Sequence, residues 1–249
     1  MLRSTKEMKN YVIGATDGEI GHVTDFFFDD QSWLIRYLVV ETGPWLLSRK
    51  VLISPLALMD ADWMHKRLPV RISKEQVKNS PDIDTHMPVS RQHEMAYADY
   101  YGYPYYWAGD GLSFSGAALP PQPPEDPRQD PHLRSCSAVI GYNIHASDGD
   151  IGHVNEMLID EKTWSIRYLV VNDFWIGHEV VVSPDWVKRI HWENSMVTLD
   201  LLQQEVKDSP NFDSSTALNR EQEAAIHAHY KRPAYWEREQ QVDLTAAQD

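Results

Sequence analysis

The sequence predicts a mainly β protein with C-terminal helices in each of two repeats, and the repeats are expected to be two small β-barrels in tandem. The first observation is that Tyr11–Glu41 and Tyr142–Asn172 align without a gap at an offset of 131, with 17 of 31 positions identical. A period this long indicates a duplicated domain, because solenoid units run to roughly 20–50 residues. The second observation is that each copy reads as several short strands separated by turns. The third is a proline-rich stretch between the copies.

Each repeat opens with a predicted β-meander. In the first copy we expect strands over residues 11–16, 19–28, 33–40 and 50–53, and shorter ones over 57–60 and 68–72. Asp17-Gly18 supplies the first turn, because glycine accepts positive φ. The strand at 33–40 is largely apolar on both faces, which indicates contacts on two sides. Five or six short antiparallel strands favour a small closed barrel, which removes exposed strand edges; a two-layer sandwich is the alternative.

Helices follow the strands in both copies. Ser73 and Gln76 form a capping box that starts a short helix through Lys78. Ser90 is expected to cap a longer helix over residues 91–101, and its twin starts at Asn219 and covers residues 221–230. Each longer helix ends shortly before a proline-aromatic cluster, at residues 104–107 and 233–236.

The repeats set the predicted domain limits. Residues 1–107 form the first repeat with its trailing helices, and residues 138–241 form the second. Residues 108–137 contain six prolines and are expected to be an extended tether, because this composition cannot form a core. Residues 242–249 are expected to be a frayed tail.

The charge and composition of the chain limit which molecules it is expected to bind and in which compartment it is expected to occur. The net charge of −14 repels phosphate backbones, so no direct contact with nucleic acid is expected. No stretch approaches the roughly 20 apolar residues of a bilayer-spanning helix, so no transmembrane segment is expected. Cys136 is the only cysteine, which excludes an internal disulfide. A chain without disulfides and with a polar N-terminus favours the reducing cytoplasm.

These motifs resemble the PRC-barrel family, named after the cytoplasmic domain of the photosynthetic reaction centre H subunit. In the first copy they are residues 17–23, 35–40 and 51–55, and in the second copy residues 148–154, 166–171 and 180–184. Their order, occurring twice, is similar to that of soluble bacterial proteins with tandem PRC barrels. The resemblance implies a small barrel that serves as a docking module, and it brings no catalytic residues.

Residues that could bind a metal occur at matched positions of the two copies. His22 and His153 lack a second His or Cys at ligand spacing, so we interpret them as histidines at a strand start, with a metal or proton-transfer site as the alternative. His227 and His229 lie on a predicted helix, where the side chains of residues i and i+2 point in different directions, so we do not expect them to bind one metal ion together. The acidic turns, such as Asp17 with Asp148, are explained by turn chemistry, with Ca²⁺ binding or acid–base chemistry as the alternative.

Candidate interaction residues are of two kinds. Arg36 and Arg167 interrupt apolar strands, and a buried arginine needs a partner, for which Asp29 and Asp160 are the candidates. An anion or a partner protein is the alternative. The aromatic candidates are Tyr105, Tyr106, Trp107, Tyr235 and Trp236. They are typical either of a helix packed on a barrel end or of an inter-domain or inter-chain contact.

No catalytic motif is recognisable in the sequence. A glycine-rich phosphate loop, G-x-S-x-G and H-E-x-x-H are all absent, so no enzyme activity, cofactor or metal is expected. The main hypothesis is a non-catalytic cytoplasmic protein-binding or scaffolding protein, whose partner is another protein or a second copy of itself. The alternatives are a small-molecule or metal-binding protein, and a peripheral assembly factor of a photosynthetic or respiratory membrane complex.

Overall fold

A computed structural model describes residues 1–81, 91–105, 133–174 and 178–237 of the chain. The fold is mainly β and contains two sheets. The chain divides into two compact units. We call Glu7–Ser137 the N-terminal unit, and Met1–Lys6 together with Ala138–Asp249 the C-terminal unit. Each sheet belongs to one unit.

The elements follow one another in chain order. The strands are β1 (Leu2–Ser4), β2 (Val12–Ala15), β3 (Gly18–Asp29), β4 (Leu34–Thr42), β5 (Lys50–Ile53), β6 (Arg67–Pro69), β7 (Leu133–Ser135), β8 (Asn143–Ala146), β9 (Gly149–Asp160), β10 (Ile166–Asp173), β11 (Glu179–Val182), β12 (Val187–His191) and β13 (Met196–Leu199). The helices are α1 (Thr5–Met8), α2 (Lys74–Lys78), α3 (Arg91–Tyr101), α4 (Cys136–Val139), α5 (Gln203–Lys207) and α6 (Arg220–Tyr230).

The two sheets share one strand order, to which the C-terminal sheet adds one further strand, β12. The N-terminal unit has the strand order β5-β4-β3-β2-β6, and the C-terminal unit has the order β11-β10-β9-β8-β13-β12. The pairs β2–β6 and β8–β13 are parallel, and the other pairs are antiparallel. Within the part of the chain that the structure describes, no strand pairing joins the two ends of either sheet. The pairings therefore define two sheets of the same plan, without showing closure.

A glycine in the long second strand of each meander lets two backbones approach closely. A Cβ added to Gly21 would lie 1.9 Å from the carbonyl oxygen of Glu41, and a Cβ added to Gly152 would lie 1.8 Å from that of Asn172. These contacts are with backbone atoms, which cannot rotate away as a side chain can. Glycine is therefore required at both positions by close approach.

The two short strands β1 and β7, which we call the arms, each pair with the repeat that they do not precede. Arm β1 lies before the first repeat but pairs with β9 of the second, whereas β7 lies before the second repeat but pairs with β3 of the first. Leu2 and Leu133 are buried in these positions. The repeats thus exchange their leading strands.

The same polar contacts fix each arm. Arg3 Nε donates to Glu161 over 2.9 Å, and Arg134 Nε donates to Asp30 over 3.1 Å. The following serines also match, because Ser4 donates to Glu156, and Ser135 donates to Asp25 over 2.5 Å. The acceptors of the two arms occupy equivalent positions of the repeat, because Glu161 lies 131 residues after Asp30 and Glu156 lies 131 residues after Asp25. Each arm is therefore held by an ion pair and a hydroxyl–carboxylate hydrogen bond.

Most predicted elements are found close to their expected limits, but three expectations differ from the structure. The strands are not all antiparallel, because β6 pairs with β2 in parallel. Residues 57–60 do not form a strand. Instead, Ser54 Oγ accepts from Leu56 N at 3.2 Å and starts a 3-10 turn at Pro55, where proline fixes φ. Part of the predicted tether is ordered, because residues 133–135 form arm β7. Ser90 and residues 106–132 lie outside the described residues.

We predict that Gly21→Ala lowers the free energy of unfolding by about 3 kcal/mol, because the new methyl group collides with the Glu41 carbonyl and the strands must separate. Gly14→Ala is the matched control in the neighbouring strand, where the new Cβ would lie 3.7 Å from Arg67. Urea unfolding of both variants measures the difference. Equal unfolding free energies for the two variants would show that the close approach is not a constraint.

Candidate functional site

Helix α6 places two polar side chains on the face that packs against the C-terminal sheet. Asn219 caps the helix, since its side chain accepts from Gln222 N at 2.9 Å while Gln222 reaches back to Asn219 N at 3.0 Å. The buried residues of the helix are Glu223, Ile226, His227 and Tyr230. Their spacing is that of one helical face. One of the four is a glutamate, a residue that is almost never fully buried unless it is paired.

Glu223 is the centre of a buried hydrogen-bonding network. Its side chain is 4% exposed, and it accepts from the hydroxyls of Tyr168 at 3.2 Å and Tyr235 at 3.0 Å. Arg220 NH1 lies 3.5 Å from the other carboxylate oxygen. Burial raises the pKa of Glu223, and these hydrogen bonds and the Arg220 cation only partly oppose that effect.

Tyr168 connects this carboxylate to His227. The tyrosine oxygen lies 3.0 Å from His227 Nε2, so a hydroxyl that donates to Glu223 accepts from a protonated Nε2. Burial raises the pKa of Tyr168 well above its ordinary range, and it raises the pKa of Tyr235 to about 12. Both hydroxyls therefore stay protonated near neutral pH and act as donors, which suits a positioning network better than a nucleophile.

Cations and aromatic rings alternate above the network. The Arg167 guanidinium lies 4.0 Å from the ring centre of Tyr235, and the Arg220 guanidinium lies 4.0 Å from that of Trp236. Arg220 NH1 also donates to the Tyr235 hydroxyl over 3.1 Å. We call Arg167, Tyr235, Arg220 and Trp236 the ladder. Arg220 is the exposed member, with 58% of its side chain accessible. The ladder therefore presents at the surface a planar guanidinium whose position is fixed by its ring contacts.

A pocket of about 340 Å³ opens beside the ladder. Arg220, Glu223 and Tyr235 form one side, and Leu2 of arm β1 and Leu218 supply apolar contacts. The exchanged arm is therefore part of the pocket wall. A pocket with an apolar lining and a few convergent polar groups is the usual form of a binding site.

The N-terminal unit contains part of the same arrangement. Glu94 of α3 corresponds to Glu223 and is 3% exposed. Tyr97 replaces the isoleucine of α6, and its hydroxyl donates to Leu52 O and accepts from Ser54 N, each at 3.1 Å. The Tyr105 hydroxyl donates to Asp99. The counterparts of Tyr235 and Trp236 are Tyr106 and Trp107, which lie outside the described residues.

The predicted partners of the two strand arginines are confirmed. Arg36 NH2 lies 3.8 Å from Asp29, and Arg167 NH2 lies 3.8 Å from Asp160. Of the candidate interaction residues, the structure brings together Arg167, Tyr235 and Trp236. Arg36 lies in the other unit, where its NH2 group also donates to Ser32 Oγ over 3.3 Å.

The aspartates of the two hairpin turns make local hydrogen bonds. Asp17 accepts from Lys74 N, and Asp148 accepts from Gln203 N, each at 2.8 Å, so both aspartates join a hairpin turn to the following short helix. Among the described residues, no group of three or more His, Cys, Asp or Glu side chains could hold a metal ion. His153 lies in a ring contact with Phe174, with centroids 6.3 Å apart.

Sequence reasoning missed Glu223 and Glu94. Their signal is R-x-x-E at the start of both long helices, at the same offset of 129 as the proline-aromatic clusters. The arms were also missed, although the sequence contains a signal for them. Leu2-Arg3-Ser4 and Leu133-Arg134-Ser135 are identical tripeptides at the offset of 131 that defines the repeat.

Comparison with known proteins gives one family. Residues 10–77 match the PRC-barrel domain, which confirms the resemblance seen in the first repeat. The matched segment runs from the start of β2 into α2, and it precedes helix α3. No curated protein matches the chain in sequence. In the described part of the chain, no helix is long and apolar enough to cross a membrane.

We predict that Glu223 makes stability depend on pH. Because burial raises its pKa above the ordinary 4.5, the native state holds the proton more tightly than the unfolded state, and the free energy of unfolding falls as pH rises from about 4.5 to the folded-state pKa. Glu223→Gln removes this fall. Urea unfolding at about pH 4 and about pH 7 measures it. The control Glu221→Gln, exposed on the same helix, keeps the wild-type difference. A Glu223→Gln variant that also keeps it contradicts the assignment.

Proposed function

We propose, from the premise that residues 10–77 are a PRC-barrel domain, that the chain is a non-catalytic protein-binding or scaffolding protein with two PRC-type barrels in tandem. PRC-barrel domains are in general non-catalytic interaction modules. The second barrel of the proposal is the C-terminal unit, because β8–β11 repeat β2–β5 in order and pairing.

The observation that carries the proposal is the ladder. Arginine, tyrosine and tryptophan are the residues most enriched at the energetic centres of protein interfaces. Here Arg220 and Tyr235 line a pocket, Trp236 stacks against Arg220, and the buried carboxylate of Glu223 holds Arg220 and Tyr235 by an ion pair and a hydrogen bond. Side chains already held in place lose less conformational entropy when a partner binds. The ladder therefore supports protein binding better than catalysis.

Arg220 is the residue that we expect to contact the partner. Its NH1 group serves Tyr235 and Glu223, and more than half of its side chain is exposed. A guanidinium has five N–H donors, so it has donors left for carbonyl or carboxylate groups of a partner protein. The pocket beside it offers Leu218 for an apolar side chain. A partner with an acidic and an apolar residue close together fits this surface.

We also propose a cytoplasmic location. Cys136 is the only cysteine of the chain, and it is a buried thiol in the N-terminal unit. Burial raises its pKa well above the ordinary value, so the thiol stays protonated and unreactive. A chain with one buried, unreactive thiol cannot form an internal disulfide, so an oxidising compartment would not stabilise it.

A photo-crosslinking amino acid at Ala217, an exposed residue at the pocket rim, tests this function. We expect irradiation in cells to give one discrete protein adduct, and Arg220→Ala to reduce its yield by about tenfold or more, because loss of a central arginine typically costs about 2 kcal/mol or more. Arg220→Lys, which keeps the charge without the planar fork, is expected to give an intermediate yield.

The matched control places the same crosslinker at Glu193, an exposed residue of the C-terminal unit outside the pocket. Circular dichroism checks that the Arg220 variants fold. An adduct formed equally from Glu193, or one unaffected by Arg220→Ala, would show that the ladder is not the binding surface.

A further inference from the structure

The two arms are chemically interchangeable. Each has the sequence Leu-Arg-Ser, and each pairs antiparallel with the carboxyl end of a long strand in the same register. Leu2 lies opposite Asp160, and Leu133 lies opposite Asp29, so the two pairings are related by the repeat offset. We call the strand ends Phe27–Asp29 and Leu158–Asp160 the receiving edges. Each receiving edge therefore recognises the same three-residue strand.

The groups that recognise an arm are also equivalent. One acidic residue beyond the edge binds the arginine, which is Glu161 in one case and Asp30 in the other. A second acidic residue within the strand binds the serine hydroxyl, which is Glu156 in one case and Asp25 in the other. Recognition by backbone pairing, a buried leucine and an ion pair is that of β-strand addition.

We propose that the receiving edge Leu158–Asp160 accepts β1 from a second copy of this chain as well as from its own, so that two chains assemble by exchanging β1 when an arm does not fit its own edge. The contacts of a β1 supplied by another chain are the same as those made within one chain, because the arm and the edge are unchanged. The only difference is the covalent connection. Exchange of an identical element between copies is a low-cost route to a dimer.

The connection decides which form prevails. An arm on the same chain acts at an effective concentration on the order of millimolar, so the closed single chain dominates at ordinary protein concentrations. Docking between copies becomes observable when the arm of a chain no longer fits its own edge. The ion pair of Arg3 with Glu161 allows this to be arranged, because the two side chains are only 18% and 19% exposed.

The experiment uses two full-length variants. In Arg3→Glu, the arm places a carboxylate against Glu161, and in Glu161→Arg, the edge places a cation against Arg3, so neither chain closes well on itself. In a mixture, the Glu arm of the first chain meets the Arg edge of the second, and the Arg arm of the second meets the Glu edge of the first. Both contacts are complementary. We expect the mixture to form a dimer with a Kd at least about tenfold lower than either variant alone.

Analytical ultracentrifugation of each variant and of the equimolar mixture measures this. The double variant Arg3→Glu/Glu161→Arg restores the pair within one chain and is expected to be monomeric. Circular dichroism is followed in parallel. If a single variant is unfolded, recovery of its signal together with a dimeric mass on mixing supports the proposal. A mixture that stays monomeric, or that dimerises no better than its components, overturns it.

Discussion

The pairing of each arm with the opposite repeat is the contact on which the other features depend. Leu133 of β7 lies in one buried cluster with Phe27, Tyr37 and Tyr97, so the arm joins the sheet to helix α3 in the N-terminal unit. In the C-terminal unit, Leu2 of β1 lines the pocket beside Tyr235 and Glu223. Neither the packing of the long helix nor the pocket is complete with the residues of one repeat alone.

The two units keep the same framework and differ in the chemistry that it carries. A buried glutamate is present in both long helices, and in α6 the hydroxyls of Tyr168 and Tyr235 and the cation of Arg220 offset the cost of burying the carboxylate. Around it the residues diverge, because His227 occupies the position that Ala98 holds in the first unit, and Tyr97 occupies that of Ile226. The repeats thus share a framework that carries two different sets of side chains.

Sequence patterns predicted the elements that depend on local chemistry. The capping boxes at Ser73 and Asn219 were found because a cap acts within four residues. The exchange of arms was not predictable in this way. The alternation of apolar and polar residues and the turn residues predict strands, but they do not indicate which of two similar strands an arm pairs with. The network at Glu223 also requires Tyr168 and Tyr235, whose meeting is set by the tertiary fold. Trp33 and Trp164 adopt positive φ, which no propensity favours for tryptophan.

The exchanged arm has a consequence for the order of events on the ribosome. Residues 2–4 are synthesised well before their strand partner, which ends at Asp160. At about 5–20 residues per second, the nascent arm waits for roughly 8–30 seconds before that partner exists. The N-terminal unit, in contrast, has all of its strands once Ser135 is made. Translation therefore supplies every described strand of the N-terminal sheet before β1 can pair with β9.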